Sequence, residues 1–394
     1  MFLDYLQRHA GKTAVCLIAI VALLSAGRVA ECGDLKATPS ISVDERYDTN
    51  PYLKAKTETV DPDFVTKLTP SLDAAYDART TKINAAYRLN ASFYSQRSPY
   101  SSVGHNMNIG LNTEISNKTT MTLNNVYNRT KTSLYDTEGI HTGFDTVSTD
   151  ALNASAEHKL DARLAIYAVL SENFYVYKAS NRIDSRRDGA MVGGRYDAGN
   201  NRLIGASYGY GNTVFETPGG KNTSGVHTLS ASLTDRLSQT TNFNVGAGAV
   251  YNADKESGRY DWTGDAGIIK TFEAASATLS YKRGIAHGAG LVSEETTRET
   301  VTASWKHELG KDLGLDITGS TSRNRSKPEH TIDTRSYNAG VAARWKAYPW
   351  LNTAIGYSRM RQWGDGALET RDIERDAVFI TLTATAPEWR GSLQ

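Results

Sequence analysis

The 394-residue sequence has only one sustained apolar run, Ala14–Ala26. A bundle of membrane-spanning helices needs several runs of about twenty apolar residues, so this class is excluded. A surplus of charge is missing too, because 44 basic residues face 43 acidic ones and the formal net charge is +1. Since a nucleic-acid binder needs basic residues clustered in excess, the composition predicts no nucleic-acid partner.

Cysteine is scarce as well. Cys16 and Cys32 are the two cysteines, and both belong to the N-terminal segment. The remaining chain can therefore form neither a disulfide framework nor a CxxC zinc site or CxxCH haem attachment. The eight histidines show no spacing typical of metal ligands. We therefore expect no metal and no cofactor.

The N-terminus has the pattern of an export signal. Arg8 and Lys12 precede the apolar run Ala14–Ala26, and the small residues Ser25-Ala26-Gly27 follow. A basic start, a short apolar core and a small-residue exit are typical of a secretory signal peptide. The sequence predicts such a signal over residues 1–32, cleaved between about residues 27 and 32.

Beyond the signal, apolar and polar residues alternate. In one stretch, apolar Ile83, Ala85, Tyr87 and Leu89 interleave with Asn84, Ala86, Arg88 and Asn90. A period of two indicates strands with two different faces. Polar segments such as 129–146 and 211–225 read as long loops, and short turns fall near Asn117 and Gly310. The pattern predicts about eighteen strands, joined alternately by long loops and short turns.

Three architectures could produce this pattern of alternating strands: a β-propeller, a soluble sandwich and a closed barrel in a membrane. A β-propeller would place four short strands in each repeat of about forty residues, whereas here the same length holds only two. A soluble sandwich would carry large aliphatics on its inner faces. In lipid only a closed barrel satisfies the backbone of a sheet. We therefore predict an all-β, transmembrane, antiparallel up-and-down barrel over residues 33–394, with its long loops outside and its short turns in the periplasm.

Aromatic residues support a membrane location, because they collect where an apolar band meets water. Tyr47, Phe93 and Tyr208 fall at the long-loop ends of their strands, and Trp305 and Trp345 fall near short turns. The expected surroundings are the lipid bilayer of the outer membrane, with insertion by the barrel assembly machinery.

The polar face predicts a water-filled lumen. The residues expected to line it are Arg88, Asn90, Arg163, Arg195, Asn244, Asp265, Lys282, Lys306, Asp316 and Arg344. Both signs of charge are present, so strong ion selectivity is not indicated. Small polar residues between them suit hydroxyl-rich solutes and suit any wet channel equally. The longest loop, residues 129–150, predicts at most a partial constriction.

One catalytic motif is present by sequence. The segment Gly205-Ala206-Ser207-Tyr208-Gly209 matches the GxSxG pattern, which needs a strand-to-helix elbow to work as a nucleophile. Here the motif falls inside an alternating stretch, which indicates a chance match. We therefore do not expect an enzyme.

Two segments near the start of the barrel carry a family resemblance. Ile41–Asn50 reads ISVDERYDTN and Asp63–Leu72 reads DFVTKLTPSL. They resemble the β-barrel porins found with exopolysaccharide and capsule loci, which open with a strand ending in Glu-x-Tyr-x-x-Asn and continue with Asp-Phe and a strand carrying Pro. The sequence departs from a typical C-terminal insertion signal, since the chain continues from the strand Val378–Ala384 through Pro387 to Gln394.

The resemblance implies an outer-membrane channel for secreted polysaccharide, with periplasmic polysaccharide-export proteins as partners. Two other functions stay open on the residues alone. One is a sheath around a multihaem cytochrome that conducts electrons, which would require a lumen too wide for the loops of the barrel to fill. The other is a general diffusion porin.

Overall fold

The computed structural model describes residues 33–97, 100–131, 145–179, 182–217, 219–253, 259–286, 290–292, 295–326, 332–364 and 372–393. The predicted signal peptide therefore lies outside the described residues. No helix in the described part of the chain combines the length and the apolar character needed to cross a membrane.

The described residues form nineteen strands in a single sheet. Their bounds are β1 Gly33–Asp48, β2 Asp63–Asp77, β3 Thr81–Tyr94, β4 Ser102–Ser116, β5 Thr119–Thr130, β6 Val147–Lys159, β7 Leu164–Tyr177, β8 Asp184–Gly199, β9 Arg202–Thr217, β10 Gly220–Ser238, β11 Thr241–Asn252, β12 Arg259–Thr271, β13 Ala275–Ala286, β14 Thr296–Glu308, β15 Leu313–Ser326, β16 Asp333–Tyr348, β17 Leu351–Gly364, β18 Ile373–Thr385 and β19 Trp389–Leu393.

The sheet closes on its first strand. Each strand from β1 to β17 pairs antiparallel with the next along the chain, and β1 pairs with β2 on one side and with both β18 and β19 on the other. Since β18 and β19 follow each other along the same edge of β1, the barrel has eighteen strand positions. The predicted all-β antiparallel barrel of about eighteen strands is confirmed.

The C-terminal end of the barrel is interrupted at Pro387, which has no backbone N–H to donate. Pairing resumes immediately, because Trp389–Leu393 lies opposite Gly33–Ala37. Just before the break, Ala386 N donates to Pro39 O at 3.0 Å. The chain therefore continues past the strand seen in the sequence, and the side chain of Trp389 is exposed.

The connections differ between the two ends of the barrel. At one end, called the turn end, consecutive strands are separated by two to four residues. At the other, called the loop end, most separations are longer, up to the sixteen residues between Thr130 and Val147. One predicted loop is wrong: residues 211–225 lie almost wholly in β9 and β10, which pair as far as Thr217 and Gly220. Val214 continues the outward apolar face of Tyr208 and Tyr210, and Phe215 is buried on the inward face, so the ladder extends despite the polar composition.

The two faces of the strands have different surroundings. Large apolar side chains on the outward face are exposed around the barrel, namely Ile41, Val43, Leu72, Leu170, Val192, Ile204, Leu229, Leu279, Ile317, Val341, Ile355, Val378 and Leu382. An exposed apolar belt of this extent is what lipid solvates. The opposite, inward face carries the polar and small residues.

Aromatic side chains border the belt at both ends. At the turn end, Phe272 and Trp305 have ring centroids 5.4 Å apart, and Tyr348 stacks on Trp350 at 5.7 Å. At the loop end, exposed Tyr47 contacts Phe64 with a centroid distance of 5.2 Å. Four aromatic residues predicted near strand ends, Tyr47, Phe93, Trp305 and Trp345, are exposed and lie within a few residues of those ends. Tyr208 is exposed too, but it lies in the middle of β9, because this strand continues to Thr217.

Because one face of each strand contacts lipid and the other contacts water, a new charge should destabilise the barrel more on the outward face than on the inward face. Val245→Arg places a guanidinium in the apolar belt and should lower the free energy of unfolding by about 2 to 4 kcal/mol. The neighbouring Asn244→Arg points into the lumen beside Asp265 and should cost much less. Urea unfolding of the purified barrel in lipid vesicles measures both. Equal losses for the two variants would contradict the assignment of inside and outside.

Candidate functional site

The lumen wall is built from alternate residues of all eighteen strand positions. Nine of the ten predicted lining residues lie on strands with the inward parity: Arg88 and Asn90 on β3, Arg195 on β8, Asn244 on β11, Asp265 on β12, Lys282 on β13, Lys306 on β14, Asp316 on β15 and Arg344 on β16. Arg163 instead lies in the turn between β6 and β7. There Arg163 N donates to Asp161 Oδ1 at 2.7 Å, and this capped turn ends the strand before Arg163.

Many charges on the wall are paired with a side chain one or two strands away. Arg88 Nη2 lies 3.2 Å from Asp73 Oδ1, and Arg195 Nη2 lies 2.7 Å from Glu157 Oε1. These groups are substantially solvent-exposed, so each pair contributes little to stability. The pairs instead reduce the net charge that a passing solute meets.

A second group of pairs lies on β11, β12 and β14–β16. Arg344 Nε lies 2.6 Å from Asp316 Oδ2, and its Nη2 lies 3.1 Å from Glu308 Oε1. Asn244 Nδ2 donates to Asp265 Oδ2 at 3.0 Å. Among the described residues, no group of three His, Cys, Asp or Glu side chains is arranged to hold a metal ion.

Two lysines on this wall are unpaired. Lys282 lies opposite Asp265, and Lys306 lies opposite Asp316, yet neither ammonium forms an ion pair among the described residues. Both aspartates are engaged by other side chains, Asp265 by Asn244 and Asp316 by Arg344. The two exposed ammonium groups therefore face the water of the lumen.

Hydroxyl and amide groups fill the spaces between the charges. Ser207 Oγ lies 2.7 Å from Ser230 Oγ, and Ser280 Oγ lies 3.0 Å from Thr302 Oγ1. Ser207, the centre of the GxSxG match, is thus an ordinary residue within β9. Such a wall offers many weak hydrogen bonds.

The inward faces change character along the barrel axis. From the middle of the barrel to the turn end, inward side chains such as Asn84, Asp265 and Lys306 are exposed. Towards the loop end they are buried on strands all around the barrel, including Asp48, Thr213, Phe215, Val226, Val250, Asn324, Thr334, Gln362 and Ile373. The lumen is therefore open at the turn end and narrowed at the loop end.

The loop between β1 and β2, residues 49–62 and here named loop 1, covers part of that end. Its Tyr52 is buried against Val65 and Tyr94, and its ring centroid lies 4.6 Å from that of Tyr100. Tyr52 Oη donates a hydrogen bond to Asp63. Burial, together with this bond to a carboxylate, raises the pKa of the Tyr52 phenol, so the donor remains protonated.

The next residue of loop 1 fixes the loop to the opposite edge of β1. Leu53 packs against Met360 of β17 and Ile373 of β18 in a buried cluster. Its backbone has a φ of 53°, a left-handed conformation that is uncommon for leucine. Asn50 supports this turn, since its Nδ2 donates to Lys54 O at 2.8 Å and to Glu374 O at 3.1 Å.

Ion pairs hold the two ends of loop 1. Lys54 Nζ lies 3.1 Å from Asp61 Oδ2, and Arg97 also contacts this carboxylate. The hydrogen bond from Lys54 and the nearby Arg97 lower the pKa of Asp61, so the pair is ionised at neutral pH. At the start of the loop, Arg375 Nε donates to the fully buried Asp48 at 2.8 Å.

A second apolar cluster narrows another part of the loop end. It joins the inward side chains Val147 of β6 and Tyr177 of β7 to Val292 and Ile332, which lie between strands. Ile332 is fully buried. Connections from both halves of the sequence therefore pack inside the barrel.

The sequence prediction placed the constriction elsewhere. Residues 132–144 of the predicted constricting loop 129–150 lie outside the described residues, while Arg129 and Thr130 belong to β5 and residues 147–150 to β6. Loop 1 was not predicted to narrow the lumen, because half of residues 51–62 are Lys, Thr, Glu or Asp. The adjacent apolar pair Tyr52-Leu53 inside this polar segment is the signal that could have revealed it.

Comparison with known proteins adds the following. No protein-family model matches the chain, and no curated protein matches its sequence. Among solved structures, OccK2 (OpdF) of Pseudomonas aeruginosa in complex with glucuronate is 9% identical, with 89% of this chain and 98% of that chain covered and a TM-score of 0.49. OccAB3 of Acinetobacter baumannii is 9% identical, with 90% and 99% covered and a TM-score of 0.45. Identities at this level assign no substrate.

The packing of loop 1 predicts a change in conductance. Leu53→Ala removes the contacts with Met360 and Ile373, which should weaken the anchoring of the loop by about 2 to 5 kcal/mol. Single-channel conductance in a planar bilayer should then rise or fluctuate between two levels. Leu229→Ala, which trims an exposed residue on the lipid face, is the matched control and should leave conductance unchanged. Equal conductance in both variants would show that loop 1 does not limit the pore.

Proposed function

We propose that the protein is an outer-membrane pore through which small hydrophilic solutes diffuse. The observation that carries this proposal is the lumen itself, which has a polar wall, an open turn end and a loop end narrowed by its own connections. Conduction needs contacts that are weak enough for release. The paired charges and hydroxyl groups of the wall supply contacts of that kind.

The narrow loop end of the lumen is evidence against the cytochrome sheath and the polysaccharide channel, since both need a wider lumen. A cytochrome sheath needs a lumen that its own loops leave free, whereas Tyr52, Leu53 and Ile332 pack inside this barrel. A channel for polysaccharide needs a continuous path for a long polymer. The resemblance over residues 41–72 keeps the polymer channel as the alternative, with the periplasmic export proteins that it implies.

Location and assembly form part of the same proposal. The apolar belt with its two aromatic borders suits a bilayer, and the signal predicted over residues 1–32 would export the chain to it through the barrel assembly machinery. The loop end then faces outward and the turn end faces the periplasm.

The wall also suggests a preference among ions. Lys282 and Lys306 are exposed and unpaired, whereas Arg88, Arg195 and Arg344 have carboxylate partners. A weak preference for small anions over cations would follow, because two uncompensated positive charges raise the local concentration of anions. Strong ion selectivity is not expected, because many charges on the wall are paired with a charge of opposite sign.

Solute size provides the test. Liposomes containing the purified barrel should swell rapidly in an isotonic monosaccharide, more slowly in a trisaccharide and not at all in a long dextran. Liposomes without protein are the first control, and Leu53→Ala, which loosens the narrow end, should extend the size limit upward. Permeation of dextran through the unmodified barrel would favour the polymer channel. Failure of all the sugars to permeate would exclude a diffusion pore.

A further inference from the structure

Five arginines lie together on the outward face of β15, β16 and β17, close to the loop end. The group, here named the arginine patch, consists of Arg323, Arg325, Arg335, Arg359 and Arg361. It has no part in the lumen. Its position on the lipid side of the barrel calls for a separate explanation.

The outward direction follows from the residues between them. On these strands the alternate residues Asn324, Thr334 and Gln362 are fully buried, because they face the packed loop end of the lumen. Arg335 and Arg361 are exposed at the same height. Since neighbouring residues of a strand point to opposite faces, the guanidinium groups point away from the barrel.

Carboxylates satisfy only three of the five arginines. Asp333 Oδ2 lies 2.7 Å from Arg323 Nη2 and 3.4 Å from Arg325 Nε. Glu374 and Asp376 both contact Arg359. With five positive and three negative side chains, the surface carries a net charge of +2.

The other two arginines form no ion pair among the described residues. Arg335 lies directly opposite Arg323 on β15. Arg361 lies between Tyr337 on β16 and Glu374 on β18, and the Glu374 carboxylate contacts Arg359 instead. Like charges in directly opposed positions destabilise a sheet. An anion bound at Arg335 would reduce its repulsion with Arg323.

Aromatic side chains set the depth of the patch in the membrane. The guanidinium carbon of Arg361 lies 5.7 Å from the ring centroid of Trp363, and Trp363 lies opposite Arg335. Towards the turn end, the same faces continue as the exposed apolar residues Val341 and Ile355. Tryptophan typically sits at the level of lipid headgroups, so the arginines lie where headgroups meet water.

We infer that the arginine patch binds the phosphate of a glycolipid headgroup in the outer leaflet. Arginine presents a planar fork of N–H donors that matches phosphate oxygens, and an arginine next to an aromatic ring keeps its donors free for this contact. Arg335 and Arg361 are diagonal neighbours on adjacent strands, a separation of about 7 to 8 Å or slightly less between Cβ atoms, which is close enough for one phosphate to bridge both side chains. The inference relies on the proposed orientation, with the loop end outward.

Binding to the purified barrel tests the inference independently of pore function. The barrel in detergent micelles is titrated with a phosphorylated glucosamine disaccharide lipid, and native mass spectrometry measures the bound fraction. The double variant R335Q/R361Q should bind at least about tenfold more weakly, since each charged hydrogen bond contributes roughly this factor. R202Q removes an outward arginine at the turn end and is the matched control, which should bind as the unmodified barrel does.

The lipid form distinguishes the possible causes of binding. The same lipid without its phosphates should bind the unmodified barrel about as weakly as the phosphorylated lipid binds the double variant. Equal binding of both lipid forms, or equal binding by R335Q/R361Q and the unmodified barrel, would overturn the inference. Phosphatidylglycerol that competes on equal terms would overturn the assignment to a glycolipid. Heat-modifiable migration on gels and unchanged conductance verify that the double variant is folded.

Discussion

The structure depends on one constraint, the pairing of backbone N–H and C=O groups where no water is available to replace a partner. A sheet in lipid meets this constraint only if its first and last strands pair, and here β1 pairs with β18 over Ser40–Asp48 and with β19 over Gly33–Ala37. The break at Pro387 is tolerated because pairing resumes with Trp389 within two residues. Closure makes each strand present one face to lipid and the other to a lumen, and the remaining features follow from that division.

The lumen shows how a wide barrel limits its own opening. A barrel of eighteen strands encloses more space than its wall side chains fill. Towards the turn end, small polar residues and paired charges leave that space to water. Towards the loop end, the connections fold inward, and Tyr52 and Leu53 bury apolar side chains against strands on both sides of β1. Burial of these side chains supplies the free energy that holds loop 1 in place, while the Lys54–Asp61 pair fixes its geometry.

Features that depend on neighbouring residues could be predicted from the sequence, whereas contacts between residues far apart in the chain could not. Alternation is local, so the strands around Ile83 or Val245, the two faces and the approximate strand count could be predicted. The extension of β9 and β10 through residues 211–225 was missed because these residues have loop-like composition, although Val214 continues the apolar face of Tyr208 and Tyr210. The packing of Leu53 on Met360 and Ile373 joins residues some three hundred positions apart. No local pattern encodes that contact, and so the narrowing by loop 1 was not predicted.

The central claim is that the lumen is wider at the turn end than at the loop end. The size of polymer that can enter from each side measures this difference directly. Polyethylene glycols of increasing size are added to one side of a bilayer holding a single channel, and the drop in conductance shows which sizes enter that mouth. The turn end should admit larger polymers than the loop end does. Inward side chains are exposed near the turn end and buried near the loop end. The same size limit from both sides would contradict a lumen that is narrowed by loop 1.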